Sequence, residues 1–184
     1  MKNHKIAIIV GSLRKDSYNR KIAQELIRMQ PESLEMEIVE IGNLALYNED
    51  LDTANPPAAW QEFRSQLKDA NGFLFITPEY NRSISGALKN ALDVGSRPYG
   101  ESVWDTKPAA VISSTPGAMG AFGANHALRQ VMVFLNTPMM QQPEAYLGNI
   151  MSAFDENGKF VEKTAEFMQN FLTAFAQWVQ IHNS

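Results

Sequence analysis

Ile6-Ala7-Ile8-Ile9-Val10 is a continuous apolar run that ends at Gly11. Strands with both faces buried show this pattern, whereas strands with one solvated face alternate between apolar and polar residues. Similar runs follow at residues 73–77 and 109–114, while residues 36–41 alternate, as expected near a sheet edge. A last, short strand is predicted to begin at Met139-Met140. The runs together predict a largely buried parallel sheet.

Amphipathic segments separate these runs. Their apolar residues recur every three or four positions, which is the spacing of one helix face. Strands that alternate with helices predict an α/β fold, with a doubly wound five-stranded parallel sheet, helices on both faces, and a single domain over residues 1–184. The predicted helices cover residues 17–29, about 60–70, 86–95 with Ser85 as the N-cap, about 128–135 and about 168–179.

Composition and charge exclude several classes of function. The 184 residues carry a formal net charge of -4, so the chain lacks the basic excess of a nucleic-acid-binding protein. It contains no cysteine, which excludes disulfide scaffolds, thiolate metal sites and cysteine nucleophiles. No apolar run approaches the ~20 residues of a membrane span, and the polar N-terminus leads directly into the first strand. We therefore expect a cytoplasmic protein.

The loop after the first strand is suited to a phosphate group. A helix follows it, and the free N–H groups and positive dipole end of a helix N-terminus attract anions. Alternatively, Ser17 or Asp16 only caps the helix and Arg14 is a solvated charge. No G-x-x-x-x-G-K-[ST] or G-x-G-x-x-G motif is present, so a single phosphate is indicated. The polar and charged residues of the loop are Ser12, Arg14, Lys15, Ser17 and Asn19.

The loops after the next two buried strands are suited to a flat ligand. In Thr77-Pro78-Glu79-Tyr80-Asn81, the proline stiffens the turn, the tyrosine offers a planar face, and the asparagine is expected to brace the turn through its side chain. At residues 113–120, small residues let backbone N–H groups approach a ligand closely. Each loop taken alone also has a simpler interpretation. The second would be a rigid turn with a half-buried tyrosine, and the third an ordinary glycine-rich connection.

Three segments resemble a known family. They are residues 11–19, Pro78-Glu79-Tyr80-Asn81, and Gly86-Ala87-Leu88-Lys89-Asn90-Ala91-Leu92-Asp93. Together they are similar to the NADPH-dependent FMN reductases, in particular the flavodoxin-like quinone, azo-dye and chromate reductases. The resemblance implies a flavodoxin-like sheet of order 2-1-3-4-5, bound FMN, NADPH or NADH as hydride donor, a small-molecule electron acceptor, and a homodimer or homotetramer.

The resemblance also implies roles for the matching residues. No catalytic acid or base and no metal is expected, because the flavin carries out the hydride chemistry and the acceptor can draw protons from solvent. The sequence identifies no residue that would read the ribose of the donor. The FMN phosphate would be bound by Ser12, Arg14, Ser17 and Asn19, and the isoalloxazine ring would be lined by Pro78, Glu79, Tyr80 and Asn81, with Ser113, Ser114 and Gly117 completing the site.

Other interpretations remain open beside the reductase. A flavodoxin-type electron carrier would share the fold, but such carriers are typically much more acidic than a net charge of -4. A flavin-binding regulatory protein is a further alternative. The segment with Arg97-Pro98-Tyr99 and Trp104 is either an ordinary surface loop or one whose exposed aromatic residues reach a neighbouring subunit, and His126 is expected to be structural or interfacial.

Overall fold

Five parallel strands form one sheet in the computed structural model, which describes residues 3–184. Their order is β2-β1-β3-β4-β5, which confirms the predicted flavodoxin-like sheet. The strand order changes direction at β1, and ligands of such sheets bind beyond the carboxyl ends of the strands at this point. The strands are β1 His4–Val10, β2 Leu34–Val39, β3 Gly72–Thr77, β4 Ala109–Ser114 and β5 Ala145–Leu147.

Helices cover both faces of the sheet. In β1, Ile6 and Ile8 join one hydrophobic core, while Ala7 and Ile9 join the other, which explains the continuous apolar run. No helix within residues 3–184 has the length and apolar character needed to cross a bilayer. The helices are α1 Tyr18–Arg28 and α5 Glu162–His182 on the first face, and α2 Ala58–Lys68, α3 Gly86–Gly95 and α4 Phe122–Phe134 on the second.

Two serines fix the start of helices next to the candidate loops. The Oγ of Ser17 accepts a hydrogen bond from the backbone N–H of Arg20 at 3.4 Å and caps α1. The Oγ of Ser85 accepts one from the N–H of Leu88 at 3.1 Å and caps α3. Both helices begin where the sequence predicts, because an N-cap is a local interaction that a short motif can encode.

The last strand begins later than Met139-Met140, so that prediction is wrong. Met139 forms only an isolated bridge with Ala109, and β5 begins at Ala145. Pro143 lies between the two pairings, and a proline has no N–H to donate to a strand ladder. The chain therefore leaves the sheet edge and returns for only three residues, Ala145–Leu147.

Trp104 is buried, so the prediction that its side chain is exposed is wrong. It is 0% exposed, its ring lies edge-on to Phe73 with centroids 4.8 Å apart, and its indole N–H donates to the carbonyl of Leu92 at 3.0 Å. Gly95 leaves room for the indole, because a Cβ there would lie 2.6 Å from the ring. Trp104 is thus a core residue and does not reach a neighbouring subunit, while Tyr99 is 78% exposed.

Candidate functional site

Loops from three strands meet around one cavity at the carboxyl end of the sheet. The loops follow β1, β3 and β4, and the cavity has a volume of about 110 Å³. Three of the predicted site residues, Asn81, Ser113 and Gly117, do not line it. The predicted residues that do are Ser12, Arg14, Ser17, Asn19, Pro78, Glu79, Tyr80 and Ser114.

Buried polar groups of the first loop form one wall of the cavity. Ser12, Ser17 and Asn19 are at most 9% exposed, whereas Arg14 is exposed at the rim. Ser17 both caps α1 and lines the cavity, so the two interpretations of this residue are compatible. The Oδ1 of Asn19 is buried without a hydrogen-bond partner. Such an atom costs free energy in the folded protein unless a ligand or water donates a hydrogen bond to it.

Gly11 and Ser85 hold the first loop against the second. A Cβ on Gly11 would lie 3.1 Å from the Cδ of Pro78 and 3.2 Å from Leu88, so a side chain at this position would push the loops apart. The Ser85 hydroxyl donates to the carbonyl of Gly11 at 2.5 Å while it caps α3. The end of β1, the proline turn and the start of α3 therefore form one packed unit.

The second loop contains a tight turn that presents Tyr80. Backbone N–H groups of Tyr80 and Ser83 donate to each other's carbonyls at 2.9 and 3.1 Å. The two residues between them adopt left-handed conformations, with φ of 52° at Asn81 and 66° at Arg82. Within residues 3–184, the Asn81 side chain makes no bracing hydrogen bond; asparagine instead suits this turn because it tolerates positive φ. The Tyr80 side chain remains 46% exposed at the cavity mouth.

Glu79 connects the second loop to the third. Its Oε2 accepts a hydrogen bond from the backbone N–H of Ala124 at 3.1 Å, in the first turn of α4. The residue before α4 is Ala121, with φ of 59° and no side-chain cap of its own. Glu79 supplies this missing cap from a distant part of the chain, and Arg82 donates to its other oxygen at 3.3 Å. A carboxylate is favoured at a helix N-terminus by the dipole as well as by the hydrogen bond.

Two adjacent serines at the end of β4, next to the third loop, face in different directions. Ser114 faces the cavity, and its buried Oγ has no hydrogen-bond partner. Ser113 points away from it: its hydroxyl donates to the carbonyl of Gly120 at 2.7 Å and accepts from the Asn125 amide at 3.2 Å. The Gly117 carbonyl accepts from the N–H of Asn149 at 3.0 Å. Ser113 and Gly117 therefore hold the loop in place behind the cavity wall.

Four further residues line the cavity beyond those that the sequence singles out. Ile150 is the least expected, since it follows β5 and its backbone N–H donates to the carbonyl of Thr115 at 3.2 Å. No local motif marks Ile150, because its place depends on the pairing of β5 with β4. The other three lie within segments that the sequence already marks as candidate loops, residues 11–19 and 113–120. The four residues are Tyr18, Thr115, Pro116 and Ile150.

A second polar cluster lies outside the cavity wall. The Tyr146 hydroxyl donates to Glu144 at 2.8 Å and lies 3.0 Å from Nε2 of His126. Burial and this hydrogen bond raise the pKa of Tyr146 to about 12, so the phenol stays protonated at neutral pH. His126 also packs on the ring of Phe122, with centroids 4.2 Å apart. The cluster joins α4 to β5, in agreement with a structural role for His126.

The donor set of the cavity fits FMN. A phosphate accepts hydrogen bonds, and the first loop offers hydroxyls, an amide, a helix N-terminus and a guanidinium around one point. The unpaired Oδ1 of Asn19 and Oγ of Ser114 are buried. A hydroxyl or N–H group of a ligand can donate to the first, and an acceptor atom of a ligand can accept from the second. Pro78 and Tyr80 add apolar and aromatic surface beside them, which suits a planar ring.

The chain is similar to several known proteins. Over 181 residues the chain is 55% identical to a quinone reductase from Pseudomonas putida, with 98% of this chain and 97% of that protein covered. It is 45% identical over 177 residues to a 2-hydroxy-1,4-benzoquinone reductase from Burkholderia sp, with 96% of each covered. Among solved structures, FerB, a flavoenzyme NAD(P)H:(acceptor) oxidoreductase from Paracoccus denitrificans, aligns with a TM-score of 0.91 at 41% identity, covering 97% of this chain and 98% of that chain.

The family model described as NADPH-dependent FMN reductase matches residues 4–152. These residues include all three loops of the cavity and the strands that carry them. The match confirms the family resemblance of the sequence motifs. This chain therefore belongs to the NADPH-dependent FMN reductase family.

Proposed function

We propose that the protein is an FMN-dependent NAD(P)H oxidoreductase whose electron acceptors are quinones or similar compounds such as azo dyes and chromate. The observation that carries this proposal is the cavity at the carboxyl ends of β1, β3 and β4, with its buried, unpaired Asn19 and Ser114 groups. The quinone reductases from Pseudomonas putida and Burkholderia sp. support the acceptor class. Bound FMN would accept a hydride equivalent from the nicotinamide and return two electrons to the acceptor.

The chain's own residues would bind and orient the flavin. We assign the phosphate to Ser12, Arg14, Ser17 and Asn19, where three buried polar side chains and one cation surround the start of α1. Pro78, Glu79, Tyr80 and Ser114 would then border the ring. Asn81, Ser113 and Gly117 would not contact the flavin directly. They would instead stabilise the conformation of the second and third loops, which border it.

Quinones suit this site because they need only access to the flavin face. Tyr80, which is 46% exposed at the cavity mouth, would give a planar acceptor an aromatic surface to stack on. The cavity wall contains one carboxylate, Glu79, which is committed to Ala124 and Arg82, and no histidine. Acceptor protons would therefore come from solvent, and the exposed mouth allows this.

The proposal extends to assembly, location and domain organisation. We propose one flavodoxin-like FMN-binding domain over residues 1–184 that assembles as a homodimer or homotetramer. Exposed apolar side chains on α4, such as Val133 at 82% and Phe134 at 83%, support association. A cytoplasmic location follows from the proposed donor, since reduced nicotinamide nucleotides are held there.

An electron carrier is the alternative that the same fold allows. A flavodoxin from Pseudomonas aeruginosa aligns with a TM-score of 0.60 at 16% identity, a likeness that shows the fold alone. The two functions differ in whether NAD(P)H reduces the flavin directly. Reduction of bound flavin by the nucleotide at a rate within the usual enzyme range, on the order of 1–10³ per second, is expected only of the reductase.

The deciding experiment is an anaerobic visible spectrum of the FMN-loaded protein. Addition of NADPH should bleach the flavin bands, and subsequent addition of a benzoquinone should restore them. Flavin that stays oxidised with both NADPH and NADH would favour the carrier. Failure to bind FMN at all would contradict the assignment of the cavity.

A further inference from the structure

A larger cavity lies at the end of the sheet opposite the proposed flavin site. It has a volume of about 510 Å³ and is bordered by the last turns of α2, the segment after α3 and the residue pair before β4, at the amino ends of β3 and β4. Four cations and one carboxylate line it, so positive charge prevails. These charged residues are Arg64, Lys68, Arg97, Glu101 and Lys107.

Lys107 is held in one orientation at this cavity. Its Nζ donates to the carbonyls of Leu67 and Lys68 at 2.9 and 2.7 Å, at the end of α2, and lies 5.6 Å from the centre of the Phe73 ring. A charged lysine has three N–H groups, so one remains after these two hydrogen bonds. Tetrahedral geometry directs the third away from both carbonyls, toward the cavity that Lys107 lines. When that proton is lost, the lone pair of the nitrogen takes its position.

The surroundings of Lys107 favour loss of this proton. Burial lowers the pKa of its amino group, although the carboxylate of Asp69 acts in the opposite direction. Because removal from water destabilises the charged form, a larger share of this amine is neutral than in an exposed lysine. A lysine that is partly removed from water is a typical protein nucleophile.

Two groups at the same cavity are suited to an anionic reagent. The buried Oγ of Ser102 has no hydrogen-bond partner, so its hydroxyl is available to donate to a ligand oxygen. Lys68 is exposed and forms no ion pair within residues 3–184, whereas Arg64 donates to both carboxylate oxygens of Asp52. A cation and a hydroxyl beside a nucleophile suit a reagent that carries a phosphate next to an electrophilic carbon.

We propose that Lys107 is a modification site, at which small acyl phosphates such as acetyl phosphate acylate Nζ while Lys68 and Ser102 bind the phosphate. The neutral amine forms a bond to the acyl carbon, the bond from that carbon to the bridging phosphate oxygen breaks, and one amine proton leaves with the phosphate. The product is an uncharged amide with a single N–H. One carbonyl at the end of α2 then loses its donor, and the helix end loses a favourable charge, so acylation should destabilise this part of the fold.

Mass spectrometry of the FMN-loaded protein after treatment with acetyl phosphate at neutral pH measures the modification at each lysine. Lys107 should be acetylated about tenfold faster than Lys163, an exposed lysine in the first turn of α5, because only Lys107 is desolvated and lies beside a phosphate-binding group. The difference should vanish in protein unfolded with guanidinium chloride. Acetylation of Lys107 no faster than that of Lys163 in the folded protein would overturn the proposal.

Two variants test the binding of the phosphate. Lys68→Gln and Ser102→Ala should each slow acetylation of Lys107 by acetyl phosphate severalfold, but should not slow acetylation by p-nitrophenyl acetate, which carries no phosphate. Glu101→Gln, the matched control at the same cavity, should hold or raise the rate with acetyl phosphate, since it removes a negative charge. Rates that neither Lys68→Gln nor Ser102→Ala changes, or that fall equally with both reagents, would overturn the assignment of these residues to the phosphate.

Discussion

The carboxylate of Glu79 caps a helix that begins 43 residues later in the chain, by accepting the backbone N–H of Ala124 at 3.1 Å. The contact joins the turn that presents Tyr80 to the loop between β4 and α4, whose Thr115 and Pro116 line the cavity. The separation of these two loops determines the width of the cavity. Glu79 therefore positions the walls through its side chain, in addition to any contact that its backbone makes with a ligand.

Glu79→Ala should lower the free energy of unfolding by about 1–2 kcal/mol, the usual cost of losing a helix cap. Glu79→Gln keeps an acceptor oxygen and should cost less than about 1 kcal/mol. Urea denaturation of both variants measures these values. Glu166→Ala, which removes an exposed carboxylate on α5, is the control; an equal loss in all three variants would contradict the capping role.

Arg14→Ala should weaken FMN binding about tenfold. A charge-assisted hydrogen bond to a phosphate contributes roughly 1.5–3 kcal/mol, and solvent screening of the exposed guanidinium places the effect at the lower end. Quenching of flavin fluorescence on titration with protein measures the dissociation constant. Lys163→Ala should not change it, and an unchanged constant for Arg14→Ala would contradict the phosphate assignment.

Ser113 and Ser114 are adjacent and chemically identical, but they should respond oppositely to substitution by alanine. The Ser114 hydroxyl is buried and unpaired, so Ser114→Ala should stabilise the flavin-free protein by about 0.5–1 kcal/mol while it weakens FMN binding. Ser113→Ala loses the hydrogen bonds of the hydroxyl to Gly120, Ala145 and Asn125 and leaves buried partners unpaired, so it should destabilise the protein by about 1–3 kcal/mol. Thermal unfolding with and without FMN distinguishes the two serines.

Asp52 should make stability depend on pH in the acidic range. Two hydrogen bonds from the Arg64 guanidinium, at 2.9 and 2.8 Å, hold the pKa of this carboxyl below its usual value of 3.8. Because the pKa is lower in the folded state than in the unfolded chain, the stabilisation is fully present above the unfolded pKa. It is lost as the pH falls through the lower, folded value.

Asp52→Asn should therefore lower the free energy of unfolding at neutral pH and flatten its decline below pH 4. Urea denaturation at a series of pH values measures both effects. Asp50→Asn is a suitable control, since Asp50 is exposed in the same loop. A variant at Asp52 that keeps the acid dependence of the parent protein would contradict the role of this ion pair.

The parts of the fold that the sequence predicts correctly depend on neighbours in the chain. The apolar run at Ile6 to Val10 and the caps at Ser17 and Ser85 lie within a few residues of the elements they determine. Most of the predicted residues of the first two loops line the cavity, because each loop follows its strand directly and the sheet aligns the strand ends.

The errors and omissions depend on contacts between distant segments. The sequence predicts an exposed Trp104, because nothing near it in the chain shows that Gly95 leaves space for its ring. Ser113 and Ser114 are indistinguishable in sequence, and only the pairing of β4 with its neighbours decides which one faces the cavity.

The short β5 and the proline before it also determine how copies of this chain can associate. Only three residues pair at that edge, and the other edge, β2, presents the exposed carboxylates of Glu35 and Glu37. Extended, uncharged edges are the usual starting points for strand addition and aggregation, and neither edge of this sheet is of that kind. The association proposed above would therefore use side-chain surfaces of helices and loops, and a second copy would not extend the sheet.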